Sequence, residues 1–170
     1  CAHLPAAPHP LEDVTHQDGW ASKPEIIDHF PYKLDGAGYL PRGAKQIFIW
    51  SLKDNQHKQI TDETNGIGSV FYQQVPLWSA DGGRIYYICS RAADTINNDR
   101  NSDLYAVDLD GKSECIIAFD GLLRAFAPSP DGKKFALVGS ADQNSAWQTF
   151  RVSVWENGTL TPLSEGIDRS

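Results

Sequence analysis

An all-β fold is what this 170-residue sequence predicts, on three observations. The chain carries 14 Gly and 10 Pro, a load of turn-formers that works against long helices and favours short elements joined by tight turns. Asp-Gly recurs at 18–19, 35–36, 81–82, 110–111, 120–121 and 131–132, and Asn-Gly at 65–66 and 157–158. These dipeptides supply the positive φ angles that hairpin loops require. Between them lie short segments rich in aromatic and β-branched side chains, and no window holds a helical stripe.

Taken in order, residues 1–22 hold three of the five histidines and little periodicity, so they are expected to form a tail or a segment without a strand partner. Residues 23–170 are the patterned part. Strands are expected at 46–52, 84–89, 103–109, 134–138 and 150–155, each bounded by Gly, Asp, Asn or Pro. Within 103–109, alternation places Tyr105, Val107 and Leu109 on one face and Ala106 and Asp108 on the other.

The segments repeat. Leu77-Trp-Ser-Ala-Asp-Gly-Gly-Arg-Ile85 returns fifty positions later as Ala127-Pro-Ser-Pro-Asp-Gly-Lys-Lys-Phe135, with Ser, Asp and Gly in register. A second unit occurs three times, beginning at Ile47, Leu104 and Phe150. In Ser129-Pro-Asp-Gly132 the proline presets φ, the aspartate bonds back to nearby amides and the glycine takes the positive φ. The two units alternate, so each pair of hairpins makes a four-stranded antiparallel module, and a fixed period near ~40 to 50 residues is the mark of a propeller blade. Residues 45–61 close one blade, with 25–40 as its other half, 70–117 make a complete one and 122–164 another. The expectation is a partial β-propeller of about three four-stranded blades, fewer than the ~4 that a closed ring needs.

Charge and cysteine usage narrow the function classes. With 15 basic against 22 acidic residues the net charge is −7, and Lys133-Lys134 is the one adjacent basic pair, so no nucleic-acid partner is expected. Apolar runs such as 85–89 and 135–138 are strand-sized, well short of the ~20 residues of a membrane helix. Cys1, Cys89 and Cys115 form an odd set without metal spacing, and buried free thiols are expected. A chain without Met that begins Cys1-Ala2-His3 is expected to be processed or an excerpt; a mature lipoprotein also begins with Cys. Compartment stays open between cytoplasm and periplasm.

The ordered string Tyr32-Lys-Leu-Asp-Gly-Ala-Gly-Tyr39, Ile47-Phe-Ile-Trp50 with Gln59-Ile-Thr61, Pro76-Leu-Trp-Ser-Ala-Asp-Gly82, Asp103-Leu-Tyr105 and Pro128-Ser-Pro-Asp-Gly132 resembles the propeller domain of prolyl oligopeptidase family serine peptidases, in the acylaminoacyl-peptidase or dipeptidyl-peptidase-like branch. The resemblance covers about residues 25–170. Ala80 stands where that pattern has Pro. It implies a non-catalytic, substrate-gating cap whose partners are a C-terminal α/β-hydrolase domain of a parent protein and a peptide substrate. The alternative is a binding scaffold resembling the periplasmic propeller of the Tol system, which has no enzymatic domain and shares the Ser-Pro-Asp-Gly turns. An open ring with uncovered blade faces is also expected to self-associate.

No catalytic, cofactor-binding or metal-ligating residue is assigned, and no cofactor is expected. Gly111-Lys-Ser-Glu-Cys115 approaches the nucleophile elbow but fails at its last position, and the upstream Gly that a phosphate loop requires is Ala106. His3, His9, His16, His29 and His57 have no metalloprotease spacing. The acidic run 94–103 lacks the central Gly and closing Glu of a calcium loop and reads as a solvated loop. Asn157-Gly-Thr159 fits a glycosylation acceptor but is also what a tight turn wants. Trp50, Trp78 and Trp155 are expected to pack blades, with Trp20 and Trp147 in loops.

Overall fold

A computed structural model describes residues 1–7, 19, 26–27, 29, 31–68, 74–90, 100–141, 149–164 and 166. Along them run strands β1 (Ala2–Pro5), β2 (Lys33–Leu34), β3 (Gly38–Tyr39), β4 (Gly43–Gln46), β5 (Phe48–Ser51), β6 (Gln56–Gln59) and β7 (Leu77–Trp78). They continue as β8 (Arg84–Cys89), β9 (Asp103–Asp108), β10 (Ser113–Ile117), β11 (Leu122–Pro128), β12 (Lys134–Ser140), β13 (Arg151–Glu156) and β14 (Thr159–Pro162), and no described residue is helical.

Two four-stranded antiparallel meanders, β7-β8-β9-β10 and β11-β12-β13-β14, are complete blades of a partial β-propeller, as the repeat predicts. Two-stranded sheets β5-β6, β2-β3 and β1-β4 make up the rest of the described strands. Each blade closes on itself by local hairpins, so most pairing is between sequence neighbours.

The blades stack through two apolar clusters on opposite faces of the first complete blade. On one face Tyr86, Ile88, Leu104 and Ala106 meet Leu123, Phe126, Phe135 and Leu137 of the second blade. Tyr86 and Phe135 cross edge to face at 5.0 Å. On the other face Ile85, Tyr87, Tyr105 and Val107 pack against Ile47, Ile60 and Ile67. The expected alternation along β9 is therefore present, but both faces are buried because a neighbour covers each. Leu109, expected beside Tyr105 and Val107, lies beyond the end of β9 and is 45% exposed. Fully burying side chains such as Phe135, Leu104 or Leu137 stabilises the stack by about 1.5–3 kcal/mol each.

Polar contacts fix the seam between the two complete blades. Buried Ser102 donates its backbone N–H to Gly121 O at 2.9 Å, while its hydroxyl oxygen accepts the Leu123 N–H at 2.9 Å. Gly139 sits under Phe119, and a Cβ there would lie 2.8 Å from the ring and 3.0 Å from Leu122 O. Only a hydrogen fits at that crossing. In β11 the register with β12 shifts between Leu123 and Ala125, a bulge that leaves Arg124 exposed with its guanidinium carbon 5.4 Å from the centre of the Phe150 ring.

Three differences from the sequence reading have local causes. Within the expected tail, Ala2–Pro5 is a strand paired with Gly43–Gln46, so this part of residues 1–22 has a partner. The single strand expected at 46–52 is two, because Ile47 leaves the ladder: its N–H goes to Thr61 Oγ1 at 2.8 Å. Aligning the blades on their turns and strand registers sets Leu104 opposite Val152, two residues beyond the Phe150 at which the third repeat unit was taken to begin. The loops expected near 91–103 and 139–149 fall largely outside the described residues.

Candidate functional site

The repeated Ser-x-Asp-Gly element builds the same object twice. Ser79 Oγ donates to Asp81 Oδ1 at 2.6 Å and accepts Arg84 N–H at 2.9 Å, and Asp81 Oδ1 also accepts Gly83 N–H at 3.0 Å. In the second copy Ser129 Oγ donates to Asp131 Oδ1 at 2.5 Å and accepts Lys134 N–H at 3.0 Å, with Lys133 N–H on the carboxylate at 3.1 Å. Gly82 and Gly132 hold φ of 69° and 68°. The Ser79 hydroxyl first, then the Gly83 N–H, keep Asp81 below the usual carboxylate range; Ser129 and Lys133 do the same for Asp131. Ala80 in place of Pro changes none of these bonds.

A basic residue follows each turn and pairs across the blade, Arg84 with Glu114 and Lys134 with Glu156 at 3.1 Å. Both pairs are about half exposed, so they orient the rim more than they stabilise it.

A buried polar knot joins the first hairpin to the first complete blade. Gln46 donates from Nε2 to Glu63 O at 2.8 Å, while its Oε1 accepts Thr61 Oγ1 at 2.9 Å and Glu63 N–H at 3.0 Å. The Tyr87 hydroxyl donates to Glu63 Oε1 at 2.7 Å. Gln46, Thr61, Glu63 and Tyr87 are all buried. Each is hydrogen-bonded within the protein, so the knot locks hairpin to blade. Sequence reasoning did not single it out, because isolated Gln, Thr and Glu residues beside apolar runs carry no spacing signal.

A cavity of about 610 Å³ lies over the outer strands of the second blade, lined by Phe119, Gly139, Ala141, Arg151, Ser153, Leu160 and Pro162. Arg151 supplies its one charged side chain and reaches Ser164 O at 3.4 Å. The lining can accept an apolar group but offers no nucleophile and base in contact.

The residues weighed in the sequence are dispersed. Gly111-Lys112-Ser113 forms the hairpin turn between β9 and β10, where Asp108 Oδ1 accepts Asp110 and Lys112 N–H at 3.0 and 2.9 Å. Asn157 and Gly158, with φ of 50° and 80°, make the two-residue loop between β13 and β14. Asp120-Gly121 differs from the expected hairpin role: it connects the two complete blades. His3 and His57 lie on exposed strands, and His9 and His16 fall outside the described residues. Of the acidic run at 94–103, residues 94–99 lie outside the described residues, and Asp103 accepts the Phe119 N–H at 2.9 Å. Among the described residues no three His, Cys, Asp or Glu side chains converge on a point.

Two packing expectations are corrected. Cys89 is fully buried, but Cys115, on the outermost strand β10, is exposed, as is Cys1. Trp155 packs on the core as expected, whereas Trp50 and Trp78 are 64% and 52% exposed, both on two-residue-wide margins of their sheets where no described neighbour covers them. Trp20 and Trp147 lie outside the described residues.

Comparison with known proteins places the fold. No family model matches the sequence. Among solved structures, TolB from Acinetobacter baumannii superposes at a TM-score of 0.52 with 18% identity, over 74% of this chain and 28% of that one. A protein assigned as TolB from Agrobacterium tumefaciens follows at 0.49 and 20% identity, over 69% of this chain and 40% of that one. The chain thus spans less than half the length of either. These neighbours carry no peptidase description, so the resemblance to prolyl oligopeptidases holds for the propeller and finds no support for the peptidase family. The architecture is that of a partial β-propeller similar in fold to TolB.

Proposed function

We propose that this chain is a non-catalytic propeller segment that serves as a protein-binding scaffold, resembling the periplasmic propeller of the Tol system rather than the cap of a serine peptidase. The observation that supports it is the stack of two meander blades with identical Ser-x-Asp-Gly turns, in a fold similar to TolB. A propeller blade offers rigid strands with loops at both ends, and this is a surface for recognition rather than for bond cleavage.

The peptidase-cap reading rests on the segment Tyr32 to Tyr39. In the structure it is a short hairpin, β2-β3, with the Tyr32 and Tyr39 rings 6.5 Å apart. This contact is a local clasp of the hairpin and involves no other blade.

Two measurements separate the readings. The intact coding sequence is expected to lack Gly-x-Ser-x-Gly downstream of residue 170. The full-length product is expected to leave acylaminoacyl and free aminoacyl anilides uncleaved and to resist a fluorophosphonate probe. Probe labelling with anilide turnover would replace the scaffold by the peptidase cap.

A further inference from the structure

We propose that the uncovered face of the second complete blade is the seat for a second copy of this chain, filled by the outer face of that copy's β5-β6 hairpin. This goes beyond the scaffold reading and does not depend on it.

The face is defined by strand register. Ala127, Ala136, Val154 and Thr161 stand side by side across the sheet, and Ala125, Val138 and Val152 form the next row. All are half-buried or exposed, Val152 by 40%. The Lys134–Glu156 ion pair bounds the strip at one end. Its counterpart in the first blade shows what such a face is for: in the matching positions Tyr86, Ile88, Leu104 and Ala106 are at most 8% exposed, covered by Phe126, Phe135 and Leu137 of the next blade.

The occupant follows from the opposite end of the chain. On β5 Ile49 points to the first complete blade, so Phe48 and Trp50, of opposite parity, stand on the reverse face. Trp50 is 64% exposed, yet its indole N–H is fixed by Asn55 Oδ1 at 3.1 Å, which holds the ring ready for contact. Leu52, close by, is 92% exposed. One end therefore presents large apolar side chains and the other a strip of small ones, the same pairing of large against small that closes the internal seam. About three blades from each of two copies fall within the ~4 to 8 of a closed ring, so a head-to-tail pair covers both open ends.

Sedimentation of the 170-residue chain is expected to show a species of twice 18.8 kDa. Val152→Asp and Trp50→Ser should each weaken association by about 100-fold or more, with an unchanged far-ultraviolet spectrum, since each strands polar or missing surface at the contact. Mixing the two variants should restore a dimer, because one of the two junctions in the mixed ring stays intact. If Val152→Asp fails to fold, Ala136→Gln, at an exposed position of the same strip, takes its place. A wild-type chain monomeric at about 100 μM overturns the proposal. So does a dimer insensitive to Trp50→Ser, which would mean face-to-face pairing of the two open strips.

Discussion

Replacing Ser102 by Ala tests whether the seam between the complete blades depends on one hydroxyl. Ser102 is fully buried, and its Oγ accepts the backbone N–H of Leu123, itself fully buried, at 2.9 Å. The hydroxyl's own donation, to Leu123 O at 3.5 Å, is long and adds little. Alanine keeps the Cβ, so almost no packing is lost, but Leu123 N–H is left without that acceptor where water does not reach. A stranded buried donor costs about 1–3 kcal/mol. The matched control is Ser129→Ala, whose Oγ makes the same kind of bond to Lys134 N–H at 3.0 Å but in an exposed turn, where water replaces it for about 1 kcal/mol or less. Urea unfolding followed by tryptophan fluorescence, at one protein concentration, should give Ser102→Ala the larger loss with an unchanged slope. A Ser102→Ala midpoint indistinguishable from wild type, or a larger loss in Ser129→Ala, would refute the assignment of the seam.

Further outcomes follow from the same contacts. Gly139→Ala should destabilise by about 1–3 kcal/mol in the same assay, since its Cβ would press on Phe119 and on Leu122 O. Asp81 and Asp131 have folded pKa values lowered by the Ser79 and Ser129 hydroxyls, so their stabilisation is present above the unfolded carboxylate range and disappears as pH falls through their lower folded values. Acid titration of Asp81→Asn/Asp131→Asn should therefore show a shallower stability loss below about pH 4 than wild type. A maleimide should label Cys1 and Cys115 in the native protein and reach Cys89 only after unfolding, a difference that intact-mass measurement reads directly.

What could be read from the letters was whatever is local. Asp-Gly and Asn-Gly encode turns through the φ angles of two adjacent residues, and Ser-x-Asp-Gly encodes its own hydrogen bonds, so Ser79 to Arg84 and Ser129 to Lys134 were legible down to the role of each side chain. The blade count followed from their spacing. Tertiary pairing was not legible. Nothing within 1–22 announces that Ala2–Pro5 will meet a strand some forty residues away, and the unbroken apolar run from Ile47 hides the point where Thr61 takes its N–H out of the ladder. Aromatic strand residues were read as core because composition cannot say which sheet face or margin has a neighbour, which is why Trp50 and Trp78 were misplaced. The peptidase resemblance failed to find support for a related reason: its motifs are turn chemistry, which any propeller needs.

Because the first complete blade alone is roofed on both sides, its amides and those of its neighbours should not exchange with solvent deuterium on one timescale. The N–H groups of Tyr86 to Ile88 and Leu104 to Val107 have flanking sheets on each side, whereas those of β14 and β6 lie in strands whose residues are all exposed. Protection should therefore fall off outward from β8 and β9, making this middle sheet the last unit to open and the anchor about which the margins breathe.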